Sequence, residues 1–152
     1  MFAVIRIRGL VGMKREIEDT LKMLRLNAVN NCVIFPEAAE YKGMLKKVKD
    51  WITWGEIEKE TLVAMLKKRL RLIGNKRVEE KVLKEITDFD KFDNFADELL
   101  AGRIKLRDFE KLQPVFRLTP PSKGFKSIRE PYPKGDLGYR GKEINELLER
   151  MI

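Results

Sequence analysis

Short apolar runs alternate with helically spaced apolar residues over the first 57 positions. Residues 2–8 are rich in β-branched side chains and alternate in polarity towards their C-terminal end, which predicts a strand that begins buried and ends half-exposed. A turn with two glycines, 9–12, follows it. Apolar side chains then recur at spacings of four, four and three residues and predict a helix with one apolar face: Met13, Ile17, Leu21 and Leu24.

The strand and helix patterns then occur again. Residues 32–35 form a continuous apolar run that predicts a more buried second strand, and 41–48 have helical spacing with lysines on the opposite face. Residues 51–57 have the aromatic and β-branched content of a third strand, on which Trp51 and Trp54 are expected to face opposite sides. The order β-α-β-α-β predicts a small two-layer sandwich, with the helices on one face of the sheet.

Helical patterns dominate after this unit. Apolar stripes predict four more helices, over 62–73 (ended by Gly74 and Asn75), 78–86, 92–100 and 142–151. Five of the six prolines lie between 114 and 133, so we expect an extended arm over 113–140. We divide the chain into a β-α-β-α-β core at 1–57, a helical extension at 58–112, and the arm plus C-terminal helix at 113–152. The extension could form its own lobe or wrap the sandwich.

Composition narrows the classes of function. The 152 residues include 32 Lys and Arg, 24 Asp and Glu and no His, which gives a net charge of +8. By segment the net charge is +3 over 1–57, +4 over 58–87, −2 over 88–112 and +3 over 113–152. This excess of positive charge indicates polyanionic partners. Because the net charge of 88–112 is negative, we expect those partners to contact other segments.

The lack of His and the single Cys exclude several classes of catalytic mechanism and metal site. Without His, neither a Ser-His-Asp nor a Cys-His mechanism is possible, and a single Cys cannot form a multi-Cys zinc site. Cys32 lies in an apolar strand and is interpreted as a core residue. The acids of 88–98 are interpreted as the polar side of a helix, with hard-metal binding as the less favoured alternative. We expect no cofactor and no metal. The charged N-terminus resembles neither a signal peptide nor a membrane span, so a cytoplasmic protein is expected.

The densest cationic run lies at 67–77. It contains no acid, and its like charges repel one another unless anions neutralise them. A solvated helix end is the alternative interpretation. The six cations are Lys67, Lys68, Arg69, Arg71, Lys76 and Arg77.

The proline-rich arm is the second cationic zone. Its cations are interleaved with aromatic residues, a composition that suits irregular RNA because phosphates bind the charges and unpaired bases stack on rings. The aromatic residues could instead attach the arm to its own domain. The cations are Arg117, Lys123, Lys126, Arg129, Lys134 and Arg140, and the aromatic residues are Phe116, Phe125, Tyr132 and Tyr139.

A third candidate is the loop from the first strand into the first helix. Arg8, Lys14 and Arg15 flank its glycines, and a helix N-terminus attracts phosphate. The same loop permits a second class of function, a small enzyme or regulator that binds a phosphate or acyl group. The glycines Gly9 and Gly12 are, more simply, turn residues.

Four stretches resemble the large-subunit ribosomal protein L-thirty family. They are Val4-Ile5-Arg6-Ile7-Arg8-Gly9 with Gly12; Thr20 to Leu26 leading to Asn30 and Val33; Tyr41-Lys42-Gly43-Met44-Leu45 through Val48 to Trp51-Ile52-Thr53-Trp54-Gly55; and Gly135 to Gly141 followed by Ile144 to Met151. The last stretch resembles the long archaeal and eukaryotic type. An extremely basic N-terminal extension, usual in eukaryotic members, is absent, which favours the archaeal form.

The resemblance implies an α+β, ferredoxin-like sandwich with a helical extension and an extended C-terminal arm. It also implies a non-enzymatic constituent of the large ribosomal subunit that binds large-subunit rRNA beside neighbouring ribosomal proteins, with no membrane and no small-molecule substrate. The expected RNA contacts are Arg8, Lys14 and Arg15, then Lys42, Lys46 and Lys47 on the second helix, then the 67–77 cations, and then the arm's Lys123, Lys126, Arg129, Lys134 and Arg140.

Overall fold

Five strands form one sheet in a computed structural model that describes residues 1–152. β1 (Phe2–Arg6) lies at the centre, antiparallel to β2 (Asn31–Phe35) on one side and to β3 (Ile52–Glu56) on the other. Two short edge strands, β4 (Phe116–Arg117) and β5 (Gly138–Tyr139), complete the order β4-β2-β1-β3-β5. All five residues of β1 are buried, because strands flank it and helices cover both faces.

The first face of the sheet carries the two predicted helices, α1 (Arg15–Met23) and α2 (Ala39–Lys47). Phe2 and Val4 point into this core. Trp51 and Trp54 lie in the same core, which corrects the expectation that they face opposite sides. β3 begins only at Ile52, so Trp51 precedes the strand and does not follow its alternation.

The second face of the sheet is covered by the C-terminal part of the chain. Ala3, Ile5 and Cys32 pack there against helices from both the extension and the C-terminus. The fold class is α+β as expected, and the extension wraps the sheet, adding a layer to the predicted two-layer unit. The helices are α3 (Lys59–Arg69), α4 (Glu80–Thr87), α5 (Phe92–Leu100) and α6 (Ile144–Met151). None of the helices is long and apolar enough to cross a membrane.

α3 ends at Arg69, so the prediction of a helix to residue 73 was too long. Leu70 is extended, and the chain then folds into a tight turn in which Arg71 pairs with Arg77 and Leu72 with Leu112. Ile73, counted in the apolar stripe, is 70% exposed at this turn. The Ile73 backbone N–H donates to the carbonyl of Lys111 and the Gln113 N–H to the carbonyl of Arg71, and these bonds replace those of another helical turn.

The proline-rich segment packs back onto the protein at both ends. β4 (Phe116–Arg117) pairs with β2, and β5 (Gly138–Tyr139) pairs in parallel with β3. Phe116 is fully buried in the second core, which supports the alternative that aromatic residues attach this segment to its own domain. Between the strands, Thr119 and Ser122 donate backbone hydrogen bonds to the end of α6.

Gly43 offers a test of the local argument for α2. It lies within this helix, is exposed, and has no atom within 4 Å of the position that a Cβ would occupy. Gly43→Ala is therefore expected to raise the free energy of unfolding by about 0.5–1 kcal/mol, because alanine loses less backbone entropy in a helix. Urea denaturation measures the change, and a destabilised variant would contradict an open helix surface at this position.

Candidate nucleic-acid interface

A buried arginine organises the end of the sheet where β1 finishes. Arg6 is 2% exposed, and its guanidinium donates to the carbonyl oxygens of Leu26 (2.8 Å), Asn27 (3.0 Å) and Arg8 (2.9 Å). Burial lowers the pKa of Arg6, and the charge of Glu18 partly opposes that shift. Arg6 therefore joins the loop after β1 to the loop after α1, with three of its five N–H donors bound to backbone carbonyls.

Arg8 lies on the surface of this end. Its guanidinium carbon is 4.4 Å from the centroid of the Trp51 ring, and its Nη1 donates to the carbonyl of Asp50 at 3.3 Å. Stacking on the indole reduces the conformational freedom of the side chain while the charge stays partly exposed. Gly12 has φ +74°, which confirms it as a turn residue, whereas the Cβ position of Gly9 is unobstructed.

Six cations share this end of the sheet and are hereafter the sheet-end cations. They come from the loop after β1 with the first residue of α1, the loop after α1, the loop before β3 and the end of β4. None forms a salt bridge within the protein. Three of the six are among the RNA contacts expected from the sequence, and the other three are not. The set is Arg8, Lys14, Arg15, Arg25, Lys49 and Arg117.

The 67–77 cations separate into two groups. Arg69 donates to the carbonyl of Ile152 at 2.9 Å, and Lys67 lies 3.8 Å from Asp93, so both have partners within the protein. Lys68, Arg71, Lys76 and Arg77 form no salt bridge. Partial burial lowers the pKa of Arg71, and the charges of Arg77 and Arg69 lower it further, so an anion bound here would relieve repulsion.

The turn at 71–77 adjoins the sheet-end cations. The Gln113 backbone N–H donates to the carbonyl of Arg71 at 2.9 Å, and Gln113 lines one groove together with Arg25 and Arg117. Two cationic groups that are distant in sequence therefore meet through Gln113.

The lysines of α2 lie in two different environments. Lys42 lies 5.7 Å from the Phe2 ring, and Lys42 and Lys46 line a pocket that also contains Glu37 and Glu56. Two carboxylates therefore offset these charges. Lys47 is exposed in the last helical turn, which leads to β3 and the sheet-end cations.

The cations of the proline-rich segment are also dispersed. Lys123, Lys126, Arg129 and Lys134 are exposed. The prediction that Arg140 contacts RNA is wrong. Its side chain is 5% exposed and donates to Asp136 Oδ1 at 2.7 Å and to Thr53 Oγ1 at 3.0 Å. This buried guanidinium holds the segment against β3 and is not free to bind phosphate.

The acids of 88–98 pair with cations on the surface. Asp90 lies 2.7 Å from Lys84, Asp97 lies 2.7 Å from Lys59, and no group of three or more metal-ligating side chains occurs. Cys32 is fully buried, and desolvation raises the pKa of its thiol to about 12. The thiol is therefore protonated at neutral pH and behaves as a small core side chain.

Comparison with known proteins assigns the family. The sequence model described as "Ribosomal protein L30p/L7e" matches residues 2–52. Three relatives, all called "Large ribosomal subunit protein uL30", are 48% identical over 151 residues (Archaeoglobus fulgidus, 99% of each chain), 51% over 154 residues (Methanococcus vannielii, 99% of each chain) and 48% over 153 residues (Thermoplasma volcanium, 100% of this chain and 93% of the relative). Since about half of its residues are identical over almost its full length, the chain belongs to the uL30 family of large-subunit ribosomal proteins.

Proposed function

We propose that this chain binds large-subunit rRNA with the sheet-end cations as the centre of its contact surface. A member of this family has a structural role in the ribosome and is not an enzyme, so the phosphate-binding enzyme considered above is not retained. The observation that carries the proposal is the meeting of six cations, from four chain segments, that form no salt bridge within the protein. RNA phosphates supply the missing negative charge.

The surface extends from this centre. Lys47 continues it on one side. The cations of 67–77 that form no salt bridge continue it on the other, namely Lys68, Arg71, Lys76 and Arg77, and the exposed cations of 123–134 add contacts as RNA folds around the protein. Lys42 and Lys46 contribute less, because Glu37 and Glu56 share their pocket. The weakly acidic segment 88–112 faces neighbouring ribosomal proteins or solvent, since like charge disfavours RNA there.

Salt dependence tests this assignment. Changing Arg8, Lys14 and Arg15 together to Gln is expected to weaken binding to deproteinised large-subunit rRNA. It should also reduce the slope of log K against log salt by roughly 2–3, because binding releases about 0.7–0.9 fewer counterions for each phosphate contact that is lost. Filter binding from low to moderate potassium chloride measures both quantities.

The matched control removes three exposed cations elsewhere, Lys81, Lys91 and Lys105, also by change to Gln. It alters the net charge equally and should leave the slope close to that of the unmodified protein. If the two triple variants lowered the slope equally, only net charge would matter, and the sheet-end cations would not be the contact surface.

A further inference from the structure

A polar groove lies between the loop after α1 and the edge strand β4. Its volume is about 810 Å³, and its walls come partly from residues 25–31 and partly from residues 113–118. The second wall lies outside the 2–52 stretch that matches the family model. Its polar side chains are two arginines and three amides: Arg25, Asn27, Asn31, Gln113 and Arg117.

The sheet register brings two of these side chains together. Asn31 is paired with Arg117 across β2 and β4. Residues that are directly opposite in a sheet point to the same face, with Cβ atoms about 5 Å apart. Asn31 is two residues before Val33, so it points to the α1 and α2 side, where Arg25 also lies at the end of α1. An amide and a guanidinium therefore share the floor of the groove.

The amides do not serve the fold. The side chains of Asn27, Asn31 and Gln113 form no hydrogen bond within the protein, whereas backbone groups beside them do: the Asn27 carbonyl accepts from Arg6, and the Gln113 N–H donates to Arg71. An amide both donates and accepts, while a phosphate group only accepts. Three free amides in one groove match the mixed donor and acceptor edge of a nucleobase better than they match phosphate.

Arg25 occupies its place at a conformational cost. It follows the C-cap of α1 with φ +60°, a left-handed conformation in which glycine is the usual residue. An L-residue in this conformation is disfavoured by roughly 1 kcal/mol. The exposed arginine side chain forms no internal hydrogen bond or salt bridge, so its guanidinium is free to bind a ligand.

Further cations lie beyond the groove lining. Lys14 and Arg15 are at the start of α1, whose other end leads to Arg25, and Arg71 is joined to the groove wall by the hydrogen bond from Gln113. An RNA strand whose phosphates bind these cations would place a base, and not a phosphate, over the amides. Val29, 40% exposed in the same groove, offers an apolar surface to the face of a base.

We propose that this groove holds an unpaired nucleotide of the RNA. Asn31 and Gln113 hydrogen-bond the base edge, and Arg25 and Arg117 bind its flanking phosphates. This site deepens the rRNA-binding function proposed above and depends on it. It is a base-reading site within a surface otherwise made of phosphate contacts.

The test compares amide and arginine variants on deproteinised large-subunit rRNA. Asn31→Ala with Gln113→Ala is expected to lower affinity about tenfold with an unchanged salt slope, because no charge is removed, whereas Arg117→Gln lowers the slope by roughly 0.7–0.9. Dimethyl sulfate, which modifies unpaired base edges, should show a nucleotide that the unmodified protein protects and the double amide variant does not.

Two further variants separate binding from folding. Arg25→Gly should keep or raise the melting temperature, since glycine suits the left-handed conformation, and should still weaken RNA binding. Asn94→Ala removes an exposed amide on α5 and should change neither property.

Three outcomes overturn the inference. Full affinity and full base protection in the double amide variant would leave the groove without a base. Normal RNA binding by that variant, with failure to join ribosomal subunits, would assign the groove to a protein partner. Absence of salt-dependent binding by the unmodified protein would reject the rRNA function itself and this site with it.

Discussion

Asp136→Asn is expected to lower the free energy of unfolding by about 3–5 kcal/mol, the cost of leaving a buried charge without its partner. Asp136 and Arg140 have side chains only 4% and 5% exposed, and their charged atoms are 2.7 Å apart. The second carboxylate oxygen of Asp136 accepts the backbone N–H of Lys126. An asparagine keeps the shape and one acceptor but removes the charge that balances the guanidinium.

The expected loss is large because the Arg140 side chain is almost fully buried. Its remaining partners are neutral: Thr53 Oγ1, the carbonyl of Asp136, and the ring of Tyr132 at 5.1 Å from the guanidinium carbon. Neutral acceptors offset only part of the desolvation of a cation. The pair also connects the proline-rich segment to β3, so its loss should release β5 before the rest of the sheet unfolds.

A double-mutant cycle in urea measures this coupling. Arg140→Met leaves Asp136 unpaired and should be as costly, while the double variant with both changes should be less destabilised than the sum of the single ones. Asp90→Asn, which breaks the exposed pair with Lys84, is the control and should change the free energy of unfolding far less. Additive effects of the two buried changes would show that the ion pair is not coupled.

Gly55→Ala is expected to cost about 3 kcal/mol or more, at the upper end of what overpacking a core produces. A Cβ at this position would lie 1.9 Å from the carbonyl oxygen of Gly141 and 3.0 Å from Cβ of Ile144. The first neighbour is backbone and cannot rotate away. Relief requires the start of α6 to move off β3, which would open the second core.

Thermal and urea unfolding of Gly55→Ala test this close approach. Gly43→Ala is the matched substitution, since it adds the same methyl group where nothing lies within 4 Å. Near-native stability of Gly55→Ala would mean that α6 does not pack against β3 as closely as described. A loss confined to the C-terminal amides in hydrogen exchange would locate the damage at α6.

The first 57 residues were predictable because local pattern and tertiary environment agree there. Each strand and helix of this unit lies within a few residues of its predicted position, and Leu21, Leu24, Leu45 and Val48 are buried on the predicted faces. The helix end at residue 69 was not predictable, because the pairing of Leu72 with Leu112 depends on residues forty positions away. Apolar spacing alone continues through that turn.

Charged residues were harder to interpret from the sequence. Arg117 and Arg140 lie in the same segment and look alike in composition, yet one is exposed at a strand edge and the other is buried against Asp136. The i, i+4 spacing of Asp136 and Arg140 did not reveal that pair, because such spacing brings side chains together on a helix and these residues are not helical. Arg25 and Lys49 were not among the predicted contacts and became candidates only when the sheet brought their loops together.

The order of the strands affects how the chain is made. β1, β2 and β3 leave the ribosome first, whereas both outer strands, β4 and β5, belong to residues 116–139. Until those residues emerge, β2 and β3 present unpaired backbone groups that could pair with another chain. The sheet is therefore completed only during the last quarter of synthesis. If synthesis stops before that point, we expect the exposed edges of β2 and β3 to pair with other unfinished chains.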